Sequence, residues 1–276
     1  MKNIVVLYHD DCPDGFGAAF AAWKKFGGKA EYIATGYDDK PHLELKNKTI
    51  YLLDFSYASN IIKKLVAQNK RVIAIDHHIS RKEDIKSASE WHYADKHSGA
   101  TLSWLTLHPK KPIPKLLNYV EDVDLWKMKL PHTDAIISVV GVTKWTFKEW
   151  DKLAKNLEHP KTFKKHLEHA HWIIKANRKI KERIIKNAEL VEFQGYKTYA
   201  VNSPVFNSEL GHSLYEKLPP IAIIWKEGHN KNYVSLRSDG TVDVSKLAKK
   251  FGGGGHKASA AFFIDAEKPH PWKNLE

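Results

Sequence analysis

The chain has 276 residues, of which 42% are hydrophobic, and it carries a formal net charge of +12. This length and composition allow one large domain or two ordinary ones to bury a core, and the single cysteine excludes an intramolecular disulfide and fits a reducing compartment. No apolar run of about 18 residues is present, which excludes a transmembrane helix. No signal-peptide pattern precedes the first predicted strand, so we expect a cytoplasmic protein.

The positive charge favours polyanionic partners, such as nucleic acid or phosphorylated small molecules. A basic surface without a binding function would give the same net charge. The segment 161–186 alone holds nine Lys and Arg side chains against Glu168 and Glu182, a local excess of +7.

Three short apolar segments near the start of the chain each run directly into acidic or imidazole side chains. Their length and composition predict buried parallel strands, and ligands of open α/β sheets bind beyond the carboxyl ends of such strands. One strand-end Asp is often only a helix N-cap, but three such ends with a double histidine favour a shared site. The segments are 4–8 followed by His9 and Asp14, 49–53 followed by Asp54, and 72–75 followed by Asp76, His77 and His78.

Helical patterns alternate with these strands. The helix that begins at Gly15-Phe16-Gly17 would point its N-terminus at the site and favour anions, but its spacing lacks the third glycine of a dinucleotide fingerprint. Further helices are predicted over 58–69, over 98–105 with Ser98 as its cap, and over 113–126. The polar stretch 79–96 is typical of a loop. The alternation over 1–130 predicts a parallel sheet covered by helices.

The second half of the chain changes pattern after a long amphipathic helix predicted over 163–188. Strands are predicted over 190–193, 196–201, 221–225, 233–236 and 260–264, with helices over 208–216 and 244–251. Four consecutive glycines, 252–255, precede His256 and are too flexible for a regular element. They would let backbone N–H groups approach a phosphate, or they would form a plain hinge. Arg237 at a strand end could add a planar fork for phosphate.

The ordered set of motifs resembles the DHH phosphoesterase superfamily. More narrowly, it resembles the branch with a DHH-associated C-terminal domain, which includes nanoRNases, RecJ-like exonucleases and cyclic-dinucleotide phosphodiesterases. The motifs span nearly the whole chain and are His9 with Asp14-Gly15, Asp54, Asp76-His77-His78, and the 252–255 glycines with His256.

The resemblance implies an α/β fold of two domains with the active-site cleft between them. An N-terminal, Rossmann-like DHH catalytic domain with a parallel sheet would cover 1–160, and a connecting helix would cover 161–188. A smaller C-terminal α/β domain over 189–276 would bind the substrate through the glycine-rich loop.

The resemblance also implies a cofactor of two Mn²⁺ ions, with Mg²⁺ or Co²⁺ as alternatives. Asp54 would bridge both metals, His77 would be a direct ligand, and His78 would lie closer to the phosphate. The implied catalytic residues are Asp76, His77 and His78. The implied metal ligands are His9, Asp14, Asp54, Asp76, His77 and Asp122. The implied substrate-binding residues are His78, Arg237, Ser238, Gly254, Gly255 and His256.

The first motif departs from the family pattern. Much of the family has His followed by Asp-x-Asp and a small residue, whereas this chain has His9-Asp10-Asp11-Cys12-Pro13-Asp14-Gly15. Asp14 matches the second carboxylate. The first falls on Cys12, or on Asp11 if the loop carries an extra residue, so the assignment among Asp10, Asp11 and Cys12 stays open. A weakened first metal site is one consequence.

The residues and the resemblance agree on chemistry. Asp and His ligands without a set of thiols suit Mn²⁺ better than a structural Zn²⁺, and two metals about 3.5–4 Å apart can activate a water for phosphoryl displacement. The leading hypothesis is a cytoplasmic phosphodiesterase that hydrolyses short RNA or DNA oligonucleotides to mononucleotides.

Two alternatives remain open from the sequence. The first is a phosphatase or phosphodiesterase for small nucleotides, such as 3′-phosphoadenosine 5′-phosphate or linear or cyclic dinucleotides. The second is a nucleic-acid-binding protein with a decayed site, which the unusual first motif and the net charge suggest. Sugar preference, direction of cleavage, metal identity and oligomeric state do not follow from the sequence.

Overall fold

The computed structural model describes residues 2–36 and 39–275. The chain divides into two compact units, Met1–Ile174 and Lys175–Glu276, and the division falls inside the long helix Pro160–Ile185. That helix corresponds to the connecting segment predicted over 161–188. Within the described ranges, no helix is both long enough and apolar enough to cross a lipid bilayer.

The first unit is a parallel sheet with helices, and every neighbouring pair of its strands is parallel. The strand order is β2-β1-β3-β4-β5, so the order reverses between β1 and β3, which is where open α/β sheets form a crevice at their carboxyl edge. Short 3₁₀ turns lie at Gly27–Lys29, Ile79–Arg81 and Asp84–Ser87. The elements are β1 (Ile4–His9), α1 (Pro13–Phe26), β2 (Ala30–Thr35), β3 (Thr49–Leu53), α2 (Ser59–Gln68), β4 (Arg71–Asp76), β5 (Glu90–Tyr93), α3 (Gly99–Leu107), α4 (Lys115–Asp124), α5 (Thr133–Val142), α6 (Phe147–Glu158) and α7 (Pro160–Ile185).

Alternate residues of the central strands pack on opposite faces of this sheet. In β1, Val5 and Leu7 pack with Ile62 and Leu65 of α2, whereas Val6 packs with Ala18 of α1 and other residues of the second face. Side chains of successive strand residues point to opposite faces, so a strand covered on both sides reads as a continuous apolar run. A third cluster around the buried Trp150 joins α1 to α3, α4, α5 and α6.

The predicted strands that carry the acidic and imidazole residues are present. β3 has the predicted bounds, β1 is one residue longer than predicted, and β4 is two residues longer. Two strands of the same sheet were not predicted. β2 begins only one residue after the Gly27–Lys29 turn, and β5 lies inside the stretch predicted to be a loop. β5 is four residues long, Glu-Trp-His-Tyr, and its partly exposed side chains give no apolar alternation. Pairing with β4 therefore determines this strand, and its own sequence pattern does not.

The second unit is a mixed sheet whose strand order is β10-β11-β9-β8-β7-β6-β12, with only the β7–β8 pair parallel among the described strands. Leu210 and Leu214 of α8 pack on one face, and Val244, Leu247 and Ala248 of α9 belong to the core on the other. The observed fold class is therefore α/β in both units, as predicted. The elements are β6 (Glu189–Phe193), β7 (Tyr196–Asn202), α8 (Asn207–Lys217), β8 (Ile221–Lys226), β9 (Lys231–Ser238), α9 (Val244–Lys249), β10 (Gly254–Gly255), β11 (Ser259–Asp265) and β12 (Lys273–Asn274).

Close packing of α1 against α3 depends on Gly17. A Cβ atom at this position would lie 2.8 Å from the Cβ of Ala100 and 3.3 Å from a methyl carbon of Leu117. We therefore expect Gly17→Val to lower the free energy of unfolding by about 1–3 kcal/mol through overpacking, measured by urea denaturation followed by circular dichroism.

Gly28→Val is the matched control, because a Cβ at Gly28 has no atom within 4 Å. Its unfolding midpoint should stay close to that of the unmodified protein. Equal midpoints for the two variants would contradict the packing argument.

Candidate metal and phosphoester site

The carboxyl ends of β1, β3 and β4 converge at the edge where the strand order of the first sheet reverses. β3 pairs with both β1 and β4 in register, so the residues that follow the three strands come together. We call this group the strand-end cluster, and its members are His9, Cys12, Asp14, Asp54, Asp76, His77, His78 and Asp124.

Asp14 lies in the first turn of α1 and also binds the N-terminus of α3. Its carboxylate accepts hydrogen bonds from the backbone N–H groups of Gly99 (2.6 Å) and Ala100 (3.0 Å), and Asp14 is 1% exposed. Ser98 caps the same helix through Thr101, as predicted from the sequence. These bonds satisfy two of the unpaired N–H groups of a helix start and place a negative charge at the positive end of its dipole.

Asp54 directly follows β3 and has a left-handed backbone, with φ of 58°. Non-glycine residues seldom adopt this conformation, so the surrounding structure must maintain it. Its backbone N–H donates to the carbonyl of Ile75 at 3.0 Å, which fixes it beside β4. A Cβ on Gly99 would lie only 2.3 Å from Oδ1 of Asp54, so only glycine allows α3 to begin against this carboxylate.

His77 lies at the centre of the acidic side chains. Its Nε2 is 3.2 Å from Oδ1 of Asp54, 3.6 Å from Oδ2 of Asp14 and 3.7 Å from Oδ2 of Asp124, and the side chain is 2% exposed. Burial acts to lower the pKa of His77, but contact with Asp54 and the charges of Asp124 and Asp14 outweigh it and raise the pKa to about 10. In the metal-free protein, this imidazolium supplies positive charge among the carboxylates at neutral pH.

Asp76 orients His78. Oδ1 of Asp76 accepts from the backbone N–H of His78 (3.0 Å) and lies 2.8 Å from its Nδ1. Because an ionised carboxylate only accepts hydrogen bonds, Nδ1 carries the proton. This tautomer leaves Nε2 of His78 as the ring atom that can bind a metal or, when protonated, a phosphate oxygen.

The carboxylates of the cluster raise one another's pKa. Burial and the charges of Asp54 and Asp124 raise the pKa of Asp14 well above its ordinary value. Burial, with a further contribution from Asp54, raises the pKa of Asp124 to about 6, although His77 opposes this shift. Two like charges 4 Å apart repel by about 4 kcal/mol at an effective dielectric constant of about 20, so the cluster favours a cation among its oxygens.

Asp54 shows the opposite behaviour. Its burial would raise the pKa, but the contacts of the carboxylate with His77 and His9 lower it far below the usual range. His9 Nδ1 lies 3.4 Å from Oδ2 of Asp54, so the two oxygens of this carboxylate face different histidines. Asp54 is therefore ionised at all physiological pH values.

The donor set fits divalent metal ions. Carboxylate oxygens and imidazole nitrogens suit Mn²⁺, Mg²⁺ and related ions. Three triplets of candidate ligand atoms in the cluster each lie within 4.8 Å of one another: His9, Cys12 and Asp54; Asp14, His77 and Asp124; and Asp54, Asp76 and His78. Oδ2 of the fully buried Asp76 accepts no hydrogen bond from the part of the chain that the structure describes. A buried carboxylate oxygen of this kind is expected to have a partner, and a metal ion would provide one.

The structure corrects the predicted ligand Asp122, which does not reach the cluster. Its carboxylate accepts from the backbone N–H groups of Lys129 and Leu130, both at 3.0 Å, and from the hydroxyl of Thr133 at 2.5 Å. Although burial acts to raise the pKa of Asp122, these bonds lower it. Asp122 therefore holds the segment that leads into α5, and Asp124 at the end of α4 faces His77 in its place.

The structure also shows which of Asp10, Asp11 and Cys12 in the first motif lies in the strand-end cluster. Asp10 and Asp11 are exposed, whereas Cys12 is half-buried and belongs to the triplet with His9 and Asp54. Burial, followed by the charges of Asp54, Asp124 and Asp14, raises the pKa of the Cys12 thiol well above its ordinary value. The structure thus places Cys12, and neither neighbouring carboxylate, in the cluster.

The predicted substrate residues of the second unit lie near one another at the adjoining ends of β9, β10 and β11. The guanidinium of Arg237 is desolvated, which lowers its pKa, and it donates to the hydroxyl of Ser208 at 3.1 Å. Gly211 has no room for a Cβ because Arg237 packs against it. The Ser238 hydroxyl donates to the carbonyl of Val242 (2.8 Å) and accepts from Gly240 (3.0 Å), so it stabilises a turn.

The glycine-rich segment has structural reasons for its composition. Gly252 and Gly255 have positive φ, and a Cβ on Gly253 would lie 2.1 Å from the carbonyl oxygen of Ala261. Gly254 and Gly255 form the short strand β10 against β11. His256 closes the hairpin by donating its backbone N–H to Ser259 at 2.7 Å. Positive φ and close packing on β11 therefore account for Gly252, Gly253 and Gly255 without a ligand, and the contact of this segment with phosphate stays a prediction.

Fold and cluster together define an α/β protein whose parallel sheet carries a carboxylate–histidine centre suited to divalent metal. Comparison with known proteins identifies the class further. Residues 209–270 match the family model described as the DHHA1 domain. The chain is 28% identical over 299 aligned residues to uncharacterized protein R106 of Acanthamoeba polyphaga mimivirus, an alignment that covers 99% of this chain and 70% of the viral protein.

Two solved structures share the fold. One is the DHH domain of a member of a family of ribosomal proteins, with a TM-score of 0.59, 12% identity, and coverage of 96% of this chain and 83% of that one. The other is an exopolyphosphatase-related protein from Bacteroides fragilis, with a TM-score of 0.54, 12% identity, and coverage of 98% and 88%. The chain thus carries a match to the DHHA1 domain over residues 209–270 and shares the fold of a DHH-domain structure over most of its length.

Asp122 and Asp124 provide a matched test of the observed placement. We expect Asp122→Asn to lower the free energy of unfolding by about 1–3 kcal/mol, because an amide cannot accept all three hydrogen bonds. Asp124→Asn should leave it unchanged or raise it, because the substitution removes one charge from a crowded group. Urea denaturation of both metal-free variants measures the difference.

The pH dependence of the Asp122 effect has a defined sign. A carboxyl whose pKa is lowered by folding stabilises the protein above its unfolded-state pKa and loses that contribution as the pH falls. The difference in free energy of unfolding between Asp122→Asn and the unmodified protein should therefore shrink below about pH 4, the ordinary pKa of Asp. A larger loss of stability in Asp124→Asn than in Asp122→Asn would contradict the assignment.

Proposed function

We propose that this protein is a metal-dependent phosphodiesterase that hydrolyses short oligonucleotides to mononucleotides. The observation that carries the proposal is the convergence of three buried carboxylates, the more exposed carboxylate of Asp124 and three histidines at the carboxyl edge of one parallel sheet. The net charge of +12 supports a polyanionic substrate, and the DHHA1 match supports a phosphoester-directed second unit.

The proposed roles follow from the contacts. Asp54, whose two oxygens face different histidines, would hold the metal ions together with His9, Asp14, Asp76, His77 and Asp124. When bound, two Mn²⁺ ions would lower the pKa of a coordinated water and neutralise charge on the phosphoryl oxygens. His78, oriented by Asp76, would hold a phosphate oxygen through Nε2.

The fixed geometry of these side chains is the protein's own contribution. The helix bonds of Asp14, the left-handed backbone of Asp54 and the Asp76–His78 bond position the ligands before any ion binds. Preorganised ligands of this kind require little rearrangement when charge develops in the transition state.

A series of labelled RNA oligomers from two to about twenty nucleotides tests the proposal directly. We expect release of mononucleotides with Mn²⁺, none with chelator, and the highest rate on the shortest oligomers. Asp54→Asn should lower the rate by at least about 100-fold, because it removes the shared negative ligand, while keeping the fold.

Asp11→Asn is the matched control for Asp54→Asn. Asp11 is exposed, lies outside the cluster and has a left-handed backbone that Asn adopts readily. The rate of oligonucleotide hydrolysis by Asp11→Asn should therefore stay close to that of the unmodified protein. Hydrolysis of dinucleotides or 3′-phosphoadenosine 5′-phosphate alone would restrict the substrate to small nucleotides. Salt-sensitive binding without turnover at any metal concentration would point to a nucleic-acid-binding protein and contradict the enzymatic proposal.

We also propose that Arg237, Gly254, Gly255 and His256 of the second unit bind substrate, with Ser238 supporting them through its turn. Arg237 pairs with neutral partners, the Ser208 hydroxyl and the Leu236 carbonyl, so a phosphate could take its remaining N–H donors. Arg237→Gln should raise KM for oligonucleotides about tenfold and leave Mn²⁺ affinity unchanged.

Lys246→Gln is the comparison for Arg237→Gln, because Lys246 is an exposed cation of the same unit. Its KM should remain near that of the unmodified protein. A loss of Mn²⁺ affinity in Arg237→Gln, or an equal change of KM in both variants, would overturn the role of Arg237.

A further inference from the structure

Cys12 occupies the N-cap position of α1 without acting as a cap. Its backbone is extended (φ −136°, ψ 130°), its carbonyl accepts from the N–H of Phe16 at 3.0 Å, and its side chain makes no cap hydrogen bond, although the backbone N–H of Gly15 interacts with the thiol. Ser, Thr, Asp and Asn are preferred here because their oxygens bind the free N–H groups of the first turn. The thiol therefore has another environment, and the adjacent Pro13 at the start of the helix fixes the direction of the chain.

That environment is a set of metal-ligating atoms. A ligand atom of Cys12, one of His9 and one of Asp54 all lie within 4.8 Å of one another. Asp54 is 1% exposed, and its Oδ2 lies 3.4 Å from Nδ1 of His9. Gly15 permits this arrangement, since a Cβ there would lie 2.1 Å from the carbonyl oxygen of His9. The close approach of α1 to the end of β1 brings Cys12 and His9 together.

Two features therefore point to cation binding here: the compact Cys–His–Asp triplet, and Oδ2 of the fully buried Asp76, which accepts no hydrogen bond within the described ranges and belongs to a second triplet that shares Asp54. The exposed Asp10 and Asp11 do not belong to this triplet. We propose that Sγ of Cys12 is a ligand of one of the divalent metal ions, so that this metal position has a thiolate–imidazole–carboxylate donor set. The inference deepens the proposed function and rests on the strand-end cluster being its metal site.

A thiolate changes which ion the position prefers. When the ion binds, a sulfur–metal bond forms and the thiol proton passes to solvent, with no change of oxidation state. Sulfur is a soft ligand and selects Zn²⁺, Co²⁺ or Cd²⁺ over Mn²⁺ and Mg²⁺, which prefer oxygen. Three protein ligands of the Cys, His and carboxylate types also match the open Zn²⁺ sites of enzymes, in which a fourth position remains for water or substrate. We therefore expect one thiophilic position within the cluster and one position built from oxygen and nitrogen ligands.

Cobalt spectroscopy of the full-length protein tests this proposal without relying on activity. Titration of the metal-free protein with Co²⁺ should produce visible ligand-field bands together with a near-ultraviolet sulfur-to-cobalt charge-transfer band. Because Cys12 is the only cysteine of the sequence, that band can come from no other residue. Cys12→Ser should lose the charge-transfer band and keep visible bands from Co²⁺ at the remaining ligands.

Competition measurements give a second readout. Cys12→Ser should weaken the binding of Zn²⁺ and Cd²⁺ by about 10–100-fold and change Mn²⁺ affinity much less. In the unmodified protein, Zn²⁺ should protect the single thiol from alkylation. Asp11→Asn, the neighbouring exposed acid, should keep the charge-transfer band and the order of metal affinities.

The outcomes separate this inference from the proposed function. Co²⁺ binding with visible bands but no charge-transfer band, or a band that persists in Cys12→Ser, would overturn the role of Cys12 and leave the metal cluster intact. The absence of any Co²⁺, Zn²⁺ or Mn²⁺ binding would overturn the cluster as a metal site and the proposed function with it.

Discussion

The hydrogen bonds between the Asp14 carboxylate and the first N–H groups of α3 are the interaction on which the site depends. They connect the first turn of α1 to a helix that begins 85 residues later in the chain. Gly99 at that helix start also lies against Asp54, so one contact point fixes the ends of β1 and β3 together. The register of the parallel sheet then brings Asp76 and His77 to the same edge.

This arrangement concentrates negative charge where water is largely excluded. The protein offsets it with the N-terminus of α3 and with the imidazolium of His77, and the raised pKa values of Asp14 and Asp124 show that the offset is incomplete. Divalent cations would replace the proton of His77 and neutralise the carboxylates together. Charge crowding, which would be unfavourable in an ordinary core, is thus the physical basis for metal binding.

Much of this arrangement could be predicted from the sequence, because short apolar runs that end in Asp and His define both the strands and the edge where their ends meet. The choice between Asp122 and Asp124 could not be predicted from the sequence. Both lie near the end of one helix, and the decision depends on Thr133 and on backbone N–H groups that follow that helix. The spacing of two residues was a signal that only one of the pair could face the cluster, but it did not say which.

Two other features depend on contacts that no local pattern encodes. β5 forms because β4 offers a free edge, although its own sequence resembles a loop. The glycines before His256 were predicted to approach a phosphate, and the structure shows that close packing on β11 also requires Gly253 and Gly255. Cys12 could not be assigned from alignment to the family pattern, since only the path of the loop after β1 determines whether Cys12 or Asp11 approaches Asp54.

Anomalous diffraction from crystals of the protein grown or soaked with Mn²⁺ would show whether the strand-end cluster binds metal. We expect two anomalous peaks, one on each side of the Asp54 carboxylate, with Asp124 and not Asp122 among the neighbouring ligands. Strong peaks elsewhere on the molecule, or no peak beside Asp54 at a Mn²⁺ concentration that saturates binding in solution, would contradict this expectation.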